Sequence, residues 1–202
     1  MTQRLKKVYQ KFAKEACFCR DGTIRFGDVF VANIHEIPRV KKIVVNRGLG
    51  AQTLKMVEIF LSELSRISAQ SGVVTVSRNS VAGFKIRAKV PVGVIVTLRG
   101  DRIYAFFDRL VNLRLPRIRD FRGLSVQNFD ADGNYNMGLD EQLMFPEISY
   151  ENIEQLSGMG LSIATSSTQK NNLKKHLSQF LLEIMGIPFG DRVTTLFASI
   201  CT

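Results

Sequence analysis

The sequence predicts an α+β fold built as one domain with extended ends. Four segments repeat apolar residues at helical spacing and four others carry short β-branched or alternating runs. The two kinds follow one another without the strict alternation of a doubly wound parallel sheet, and no internal repeat or low-complexity run is present. With 202 residues and 45% apolar side chains the chain can bury a core of its own.

The first helix is expected over 3–16, where Leu5, Val8 and Phe12 share a face among Arg4, Lys6, Lys7, Lys11 and Lys14. This basic amphipathic stretch fits a transit peptide, although it holds Glu15 and no serine; a helix kept in the mature protein fits equally. Residues 20–38 contain glycines and receive no assignment. Val40, Ile43, Val44 and Val45 predict a strand over 40–46, closed by Gly48-Leu49-Gly50. Leu54, Val57, Leu61, Leu64 and Ile67 then predict an amphipathic helix over 52–69, and Val73, Val74 and Val76 a second strand. A small and basic loop, 78–89, leads to an alternating strand at 92–98. Asp101 is expected to cap a helix over 102–114, ended by Pro116. Asp130-Ala-Asp-Gly-Asn134 reads as a turn between two extended runs, Val126–Phe129 and Tyr135–Met137. Leu161–Thr165 suggests another strand, and 169–185 a last helix stopped by Gly186 and Pro188.

The net charge of +10 is strongly segregated. Residues 39–122 hold 17 basic and 5 acidic side chains, whereas 123–160 hold no basic and 7 acidic ones. The basic stretch is expected to neutralise a polyanion, nucleic acid before an acidic membrane surface, and the acidic one to face a basic protein. Arginine dominates the basic stretch, at Arg39, Arg47, Arg66, Arg78, Arg87, Arg99, Arg102, Arg109, Arg114, Arg117, Arg119 and Arg122. Its planar fork makes two-point contacts with phosphate that lysine cannot. For Arg102 and Arg109, inside a helix, an apolar stem lying along the helix face is an equal alternative.

No catalytic constellation is present. The turn at Val45–Thr53 resembles a dinucleotide cradle, but Thr53 stands where a third glycine is needed and no acidic residue follows at the ribose distance. No phosphate-loop motif occurs, and His35 and His176 stand alone. Asp130 and Asp132 sit in a turn whose glutamate is out of register for calcium. Cys17, Cys19 and Cys201 are sparse and odd in number, which suits a reducing compartment and gives no complete metal set. No stretch approaches the ~20 apolar residues of a membrane span. The expectation is a non-enzyme without cofactor or metal.

Several long strings carry a resemblance. They are Ser80-Val-Ala-Gly-Phe-Lys-Ile-Arg87, Val96-Thr-Leu-Arg-Gly100 and Arg117-Ile-Arg-Asp-Phe-Arg-Gly-Leu-Ser125. With them go Gly133-Asn-Tyr135, Met137-Gly138 and Phe145-Pro-Glu-Ile148. Together they resemble the uL5 family of large-subunit ribosomal proteins, from about residue 34 to Phe189. The segment 18–33 is longer than the family pattern, and the tail 191–202 runs past its usual end.

The resemblance implies a curved antiparallel sheet flanked by helices, over 39–190, with 1–38 as an N-terminal helix and extension. It implies 5S rRNA binding through Asn46, Gln70, Thr97 and Arg99. It further implies a loop facing the P-site tRNA, carrying Arg78, Ser80, Phe84, Lys85, Arg87 and Lys89, with Phe84 either a stacking platform or an anchor. Arg39, Lys41, Arg117, Arg119 and Arg122 are candidates for other large-subunit rRNA contacts. A basic small-subunit bridge protein is the expected partner of 123–160. The strings Val44–Gly50 and Val92–Leu98 look most like plastid members, so an organellar ribosome is expected, plastid before mitochondrion, with a bacterial cytoplasm as a further choice. No clear leader is evident, as for a gene retained in the organelle or a leader already removed. The rival readings are a nucleotide-dependent enzyme on the Gly48–Gly50 turn and a general nucleic-acid-compacting protein.

Overall fold

The computed structural model describes residues 4–16, 24–26, 29–31, 37–50, 54–118, 121–139, 144–148, 157–166 and 171–190. In chain order these give α1 (Arg4–Ala16), β1 (Ile24–Phe26), β2 (Val29–Val31), β3 (Arg39–Gly48), α2 (Leu54–Ser68) and β4 (Val73–Val76). Then follow β5 (Pro91–Leu98), α3 (Asp101–Arg109), β6 (Tyr135–Leu139), β7 (Met159–Ser166) and α4 (Asn171–Ile184). The unassigned stretch 20–38 contains the β1–β2 hairpin. The other strands form one antiparallel sheet in the order β4-β5-β3-β7-β6, so the expected α+β class is observed.

Residues paired across strands share a face, and that rule divides the sheet. One face collects Ile43 and Val45 of β3, Val94, Val96 and Leu98 of β5, Leu161 and Ile163 of β7 and Tyr135 and Met137 of β6, all buried. Against it lie Val57, Phe60, Leu64 and Ile67 of α2, Ile103, Phe106 and Phe107 of α3, and Leu181 and Leu182 of α4, in one continuous core. Burial of each large side chain contributes about 1.5–3 kcal/mol before the entropy of ordering it. The opposite face carries Val44, Asn46, Gly48, Ile95, Thr97, Gly160, Ser162, Asn136 and Gly138, and no described helix covers it.

A bulge between Val40 and Lys42 leaves Lys41 unpaired. The extra residue reverses the alternation, so Val40 turns into the core while Arg39 and Lys41 are exposed. Lys42, opposite Ala164, shares the open face with Val44 and Asn46.

Three expectations require correction. The helix after Asp101 is regular only to Arg109, then widens over Leu110–Arg114 and tightens over Leu115–Arg117. Pro116, with no N–H and a ring that clashes one turn back, forces that change of pitch. Asp101 does not cap; Gly100 (φ +63°) precedes the helix, and the Asp101 carboxylate takes Lys6 at 2.5 Å. Val126–Asn128 is a 3-10 turn rather than an extended run, because Ser125 Oγ accepts from the Gln127 N–H. The Asp130–Asn134 turn does form, with Asp130 Oδ1 accepting from the N–H groups of Asp132 and Asn134.

Helix α1 is docked. Leu5 is buried, Tyr9 lies 6.3 Å from Tyr104 of α3, and the Tyr9 hydroxyl donates to the Pro38 carbonyl at 3.2 Å. No helix among the described residues is long and apolar enough to cross a membrane.

Candidate nucleic-acid interface

Because β3 runs antiparallel to β5 and β7, the start of β3 lies beside the ends of both. That end of the sheet gathers Arg39, Lys41, Lys42, Thr97 and Arg99. Asn46 stands nearer the middle of the open face, opposite Ile95 and Gly160, and Thr97 stands opposite Val44. Asn46 and Arg99 are exposed and Thr97 is half-buried.

Gln70 is held at the same corner by the end of α2. Ala69 takes a left-handed φ of 55°, and the single Ser68 hydroxyl proton lies within reach of the carbonyls of both Leu64 and Gln70. The Gln70 amide nitrogen then donates to the Thr97 carbonyl at 3.2 Å, while its oxygen accepts from Arg102 at 3.0 Å. Gln70 therefore ties β5 to Arg102, and Arg102 is an exposed cation at this corner rather than a stem lying along its own helix.

Three glycines lower the open face among the described residues. Gly48, Gly138 and Gly160 have ordinary φ values, and a Cβ at Gly48 or Gly138 would meet nothing within 4 Å. At Gly160 the nearest atom would be the Asn46 carbonyl at 3.9 Å. Gly93 differs: a Cβ there would lie 2.8 Å from the Arg47 carbonyl, so close packing requires that glycine. No carboxylate stands on the open face among the described residues.

Two of the arginines read as phosphate ligands point the other way. Arg47, on the covered face of β3, is fully buried; its Nη1 meets Glu63 at 2.6 Å, its Nε meets Ser157 Oγ at 2.5 Å, and its guanidinium lies 3.8 Å over Phe60. Burial lowers its pKa and the Glu63 carboxylate partly restores it. Arg114 is also buried, stacked 3.0 Å over Phe145 and paired with Glu147, which Arg109 reaches at 3.1 Å. Burial pushes the Arg114 pKa down to about 9 against the pull of Glu147. The acidic stretch is likewise partly spent inside the molecule. Glu147 faces these arginines, Asp130 bonds its own turn, and Asp132 lies 3.6 Å from Lys174.

At the opposite end, β4 and β5 are joined by an ordered excursion over 77–90. Its base is closed by Ser77 N–H to Val90 and Lys89 N–H to Ser77, and its middle by the reciprocal Val81–Ile86 pair. Ser80 Oγ donates to the Ile86 carbonyl at 3.3 Å, and Lys85 and Lys89 adopt left-handed φ values of 54° and 65°. Arg78, Lys85, Arg87 and Lys89 are exposed. Phe84 is 77% exposed, so it anchors nothing among the described residues.

Arg117 and Arg122 are exposed on the segment after α3, and Gly123 fits tightly against Gly190. Arg119, His35 and the three cysteines lie outside the described residues, and no group of three or more metal-ligating side chains occurs within them. The Gly48–Gly50 turn is a poor phosphate cradle, because the Leu49 N–H already donates to Val92 at 2.9 Å. Lys42, Ser162 and Asn136 were missed as candidates. Counting back by twos from Asn46 reaches Lys42, but Ser162 and Asn136 join the face only through pairing that the sequence does not display.

Comparison with known proteins identifies the family. Residues 33–87 match the family model described as ribosomal protein L5, and residues 91–189 match that of the ribosomal L5P family C-terminus. A large ribosomal subunit protein uL5c of Tetradesmus obliquus is 52% identical over 192 residues, covering 94% of this chain and 99% of that one. The uL5c of Cyanophora paradoxa is 47% identical, covering 95% and 99% of the two chains, and the uL5 of Microcystis aeruginosa is 51% identical, covering 94% and 99%. The chain belongs to the uL5 family of large-subunit ribosomal proteins, is of its plastid type, and is not an enzyme.

Proposed function

We propose that this protein docks 5S rRNA onto the large subunit of a plastid ribosome, binding it through the open face of the five-stranded sheet. The observation that carries the reading is the face itself. Low at Gly48, Gly138 and Gly160, without a carboxylate among the described residues, and edged by Arg39, Lys42, Arg99 and Arg102, it lets an RNA backbone approach the sheet closely. Asn46, Thr97, Ser162 and Asn136 offer hydrogen bonds along it, and Gln70 positions Thr97 and Arg102. The work is positioning, and rigidity is what the fold supplies.

The excursion over 77–90 is suited to the P-site tRNA. Its backbone is fixed by five internal hydrogen bonds, and it presents four cations and an exposed aromatic ring able to stack or to pack on a sugar edge. Lys41, Arg117, Arg119 and Arg122 join Arg39 as contacts to the large-subunit rRNA. Among the described acids of 123–160, the exposed Asp132 is the one left for a basic small-subunit bridge protein, a smaller partner face than the charge of the stretch suggested. The plastid setting rests on relatives named uL5c.

Binding to 5S rRNA and to a length-matched unrelated folded RNA, followed across a salt series, tests the reading. A preference for 5S rRNA that persists at physiological salt supports it. Equal binding that collapses with salt would reduce the interaction to phosphate attraction and overturn it.

A further inference from the structure

Helix α1 carries its charge where its own electrostatics oppose it. Its first turn contains Arg4, Lys6 and Lys7 and no acidic residue, and cations there face the positive end of the helix dipole. Lys6 is matched by Asp101. Arg4 and Lys7 are exposed and have no acidic partner among the described residues. At i, i+3 and i+7, Arg4, Lys7 and Lys11 form one row on the side of the helix away from Leu5 and Tyr9, and the 39%-exposed Val8 lies between that row and Leu5.

The helix is also placed at the cationic corner of the sheet. The Tyr9 hydroxyl is bonded to Pro38, so the exposed Arg39 begins β3 directly beside α1, and the Arg39 charge acts on both Tyr9 and Tyr104. The Lys6–Asp101 contact brings the start of α1 against the start of α3, next to Arg102. The cations of α1 thus lie next to those that border the open face.

We propose that the outer face of α1, through Arg4 and Lys7 with Arg39 beside them, is a second RNA-backbone contact continuing the sheet's track around the Arg99–Arg102 corner. It rests on the RNA-binding reading above and adds phosphate attraction without base recognition. A membrane is the less apt partner, since Val8 is the one exposed large apolar side chain described on the helix.

The test is the double variant Arg4→Gln/Lys7→Gln in the full chain, with Arg4→Lys/Lys7→Arg as the charge-conserving control. The expected result is a salt slope of log Kd reduced by about 2 and affinity near 100 mM salt about tenfold weaker, for 5S rRNA and for unrelated folded RNA alike. The control keeps the wild-type slope. The Tm of the neutral variant holds or rises, because the opposed first-turn charges are gone; a merely structural role would lower it. An unchanged slope overturns the proposal, and so does a lower Tm with the slope retained. Loss of binding to phosphatidylserine vesicles with RNA binding intact assigns the face to lipid and also overturns it. If the wild-type chain shows no preference for 5S rRNA, the docking reading fails instead, and the slope comparison still decides the role of α1.

Discussion

Arg47 and Arg99 carry the same guanidinium to opposite ends of usefulness. Arg99 follows the last residue of β5 and is exposed, whereas Arg47 lies under α2 with Glu63 as its counter-ion. Removing one member of a buried pair leaves the other charge desolvated and alone. Arg47→Ala is therefore expected to lower unfolding free energy by about 3–5 kcal/mol, read by urea denaturation, while the folded fraction keeps its preference for 5S rRNA. Loss of RNA affinity with unchanged stability would instead make Arg47 a ligand. The glycines divide in the same way. Gly138 has open space where its Cβ would be, and glycine inside a strand costs roughly 0.5–1 kcal/mol, so Gly138→Val is expected to hold or raise stability while weakening 5S rRNA binding. Gly93→Val drives a side chain into the Arg47 carbonyl and is expected to destabilise by about 1–3 kcal/mol. Equal RNA affinity for Gly138→Val and wild type would remove the open face from the binding surface.

At the scale of elements, the legible part of the sequence was whatever local periodicity controls. The spacing of Val57, Leu64 and Ile67 marked α2, and the alternation of Val94, Val96 and Leu98 marked β5, because burial on one face imposes those periods directly. The bulge at Lys41 was not legible, since one inserted residue looks like any other until the partner strand shows the shift. The two buried arginines escaped for a related reason: Glu63 is 16 residues from Arg47 and Glu147 is 33 from Arg114, and charge counts along the chain do not reveal such pairs. Nor did composition decide between a transit peptide and a docked α1; the packing of Tyr9 on Tyr104 and Pro38 is tertiary. That docking has a titration signature. Burial raises the pKa of Tyr9, and the nearby Tyr104 raises it further while Arg39 lowers it; burial likewise raises that of Tyr104. A raised folded-state pKa holds protons that the unfolded chain releases, so stability is complete below about pH 10 and falls as pH rises through the folded values. Tyr9→Phe should make that alkaline loss shallower in a pH series of thermal melts. An unchanged slope would show that the α1–α3 contact does not bury the tyrosine.

Across the whole molecule, antiparallel pairing separates two kinds of surface by the length of a strand. Thr97 and Arg99 lie at one end of β5 and the 77–90 excursion leaves from the other. Eight strand residues set these ends roughly 25 Å apart at about 3.3 Å per residue. Exposed charges that far apart exceed the ~8 Å Debye length of physiological salt by several-fold and act independently. The net charge of +10 is therefore better regarded as two local fields than as one, the more so because Glu63 and Glu147 are occupied by buried arginines. Arg99→Ala is expected to weaken 5S rRNA binding by about 1–3 kcal/mol, through loss of a charged hydrogen bond at the sheet's cationic corner. Arg87→Ala is expected to leave that affinity within about 0.5 kcal/mol and to weaken contact with tRNA on assembled subunits. Both variants should melt with the wild type, since each removed side chain is exposed. Equal losses of 5S rRNA affinity from the two would mean that the RNA wraps both ends of the sheet, and the separation of the two surfaces would have to be abandoned.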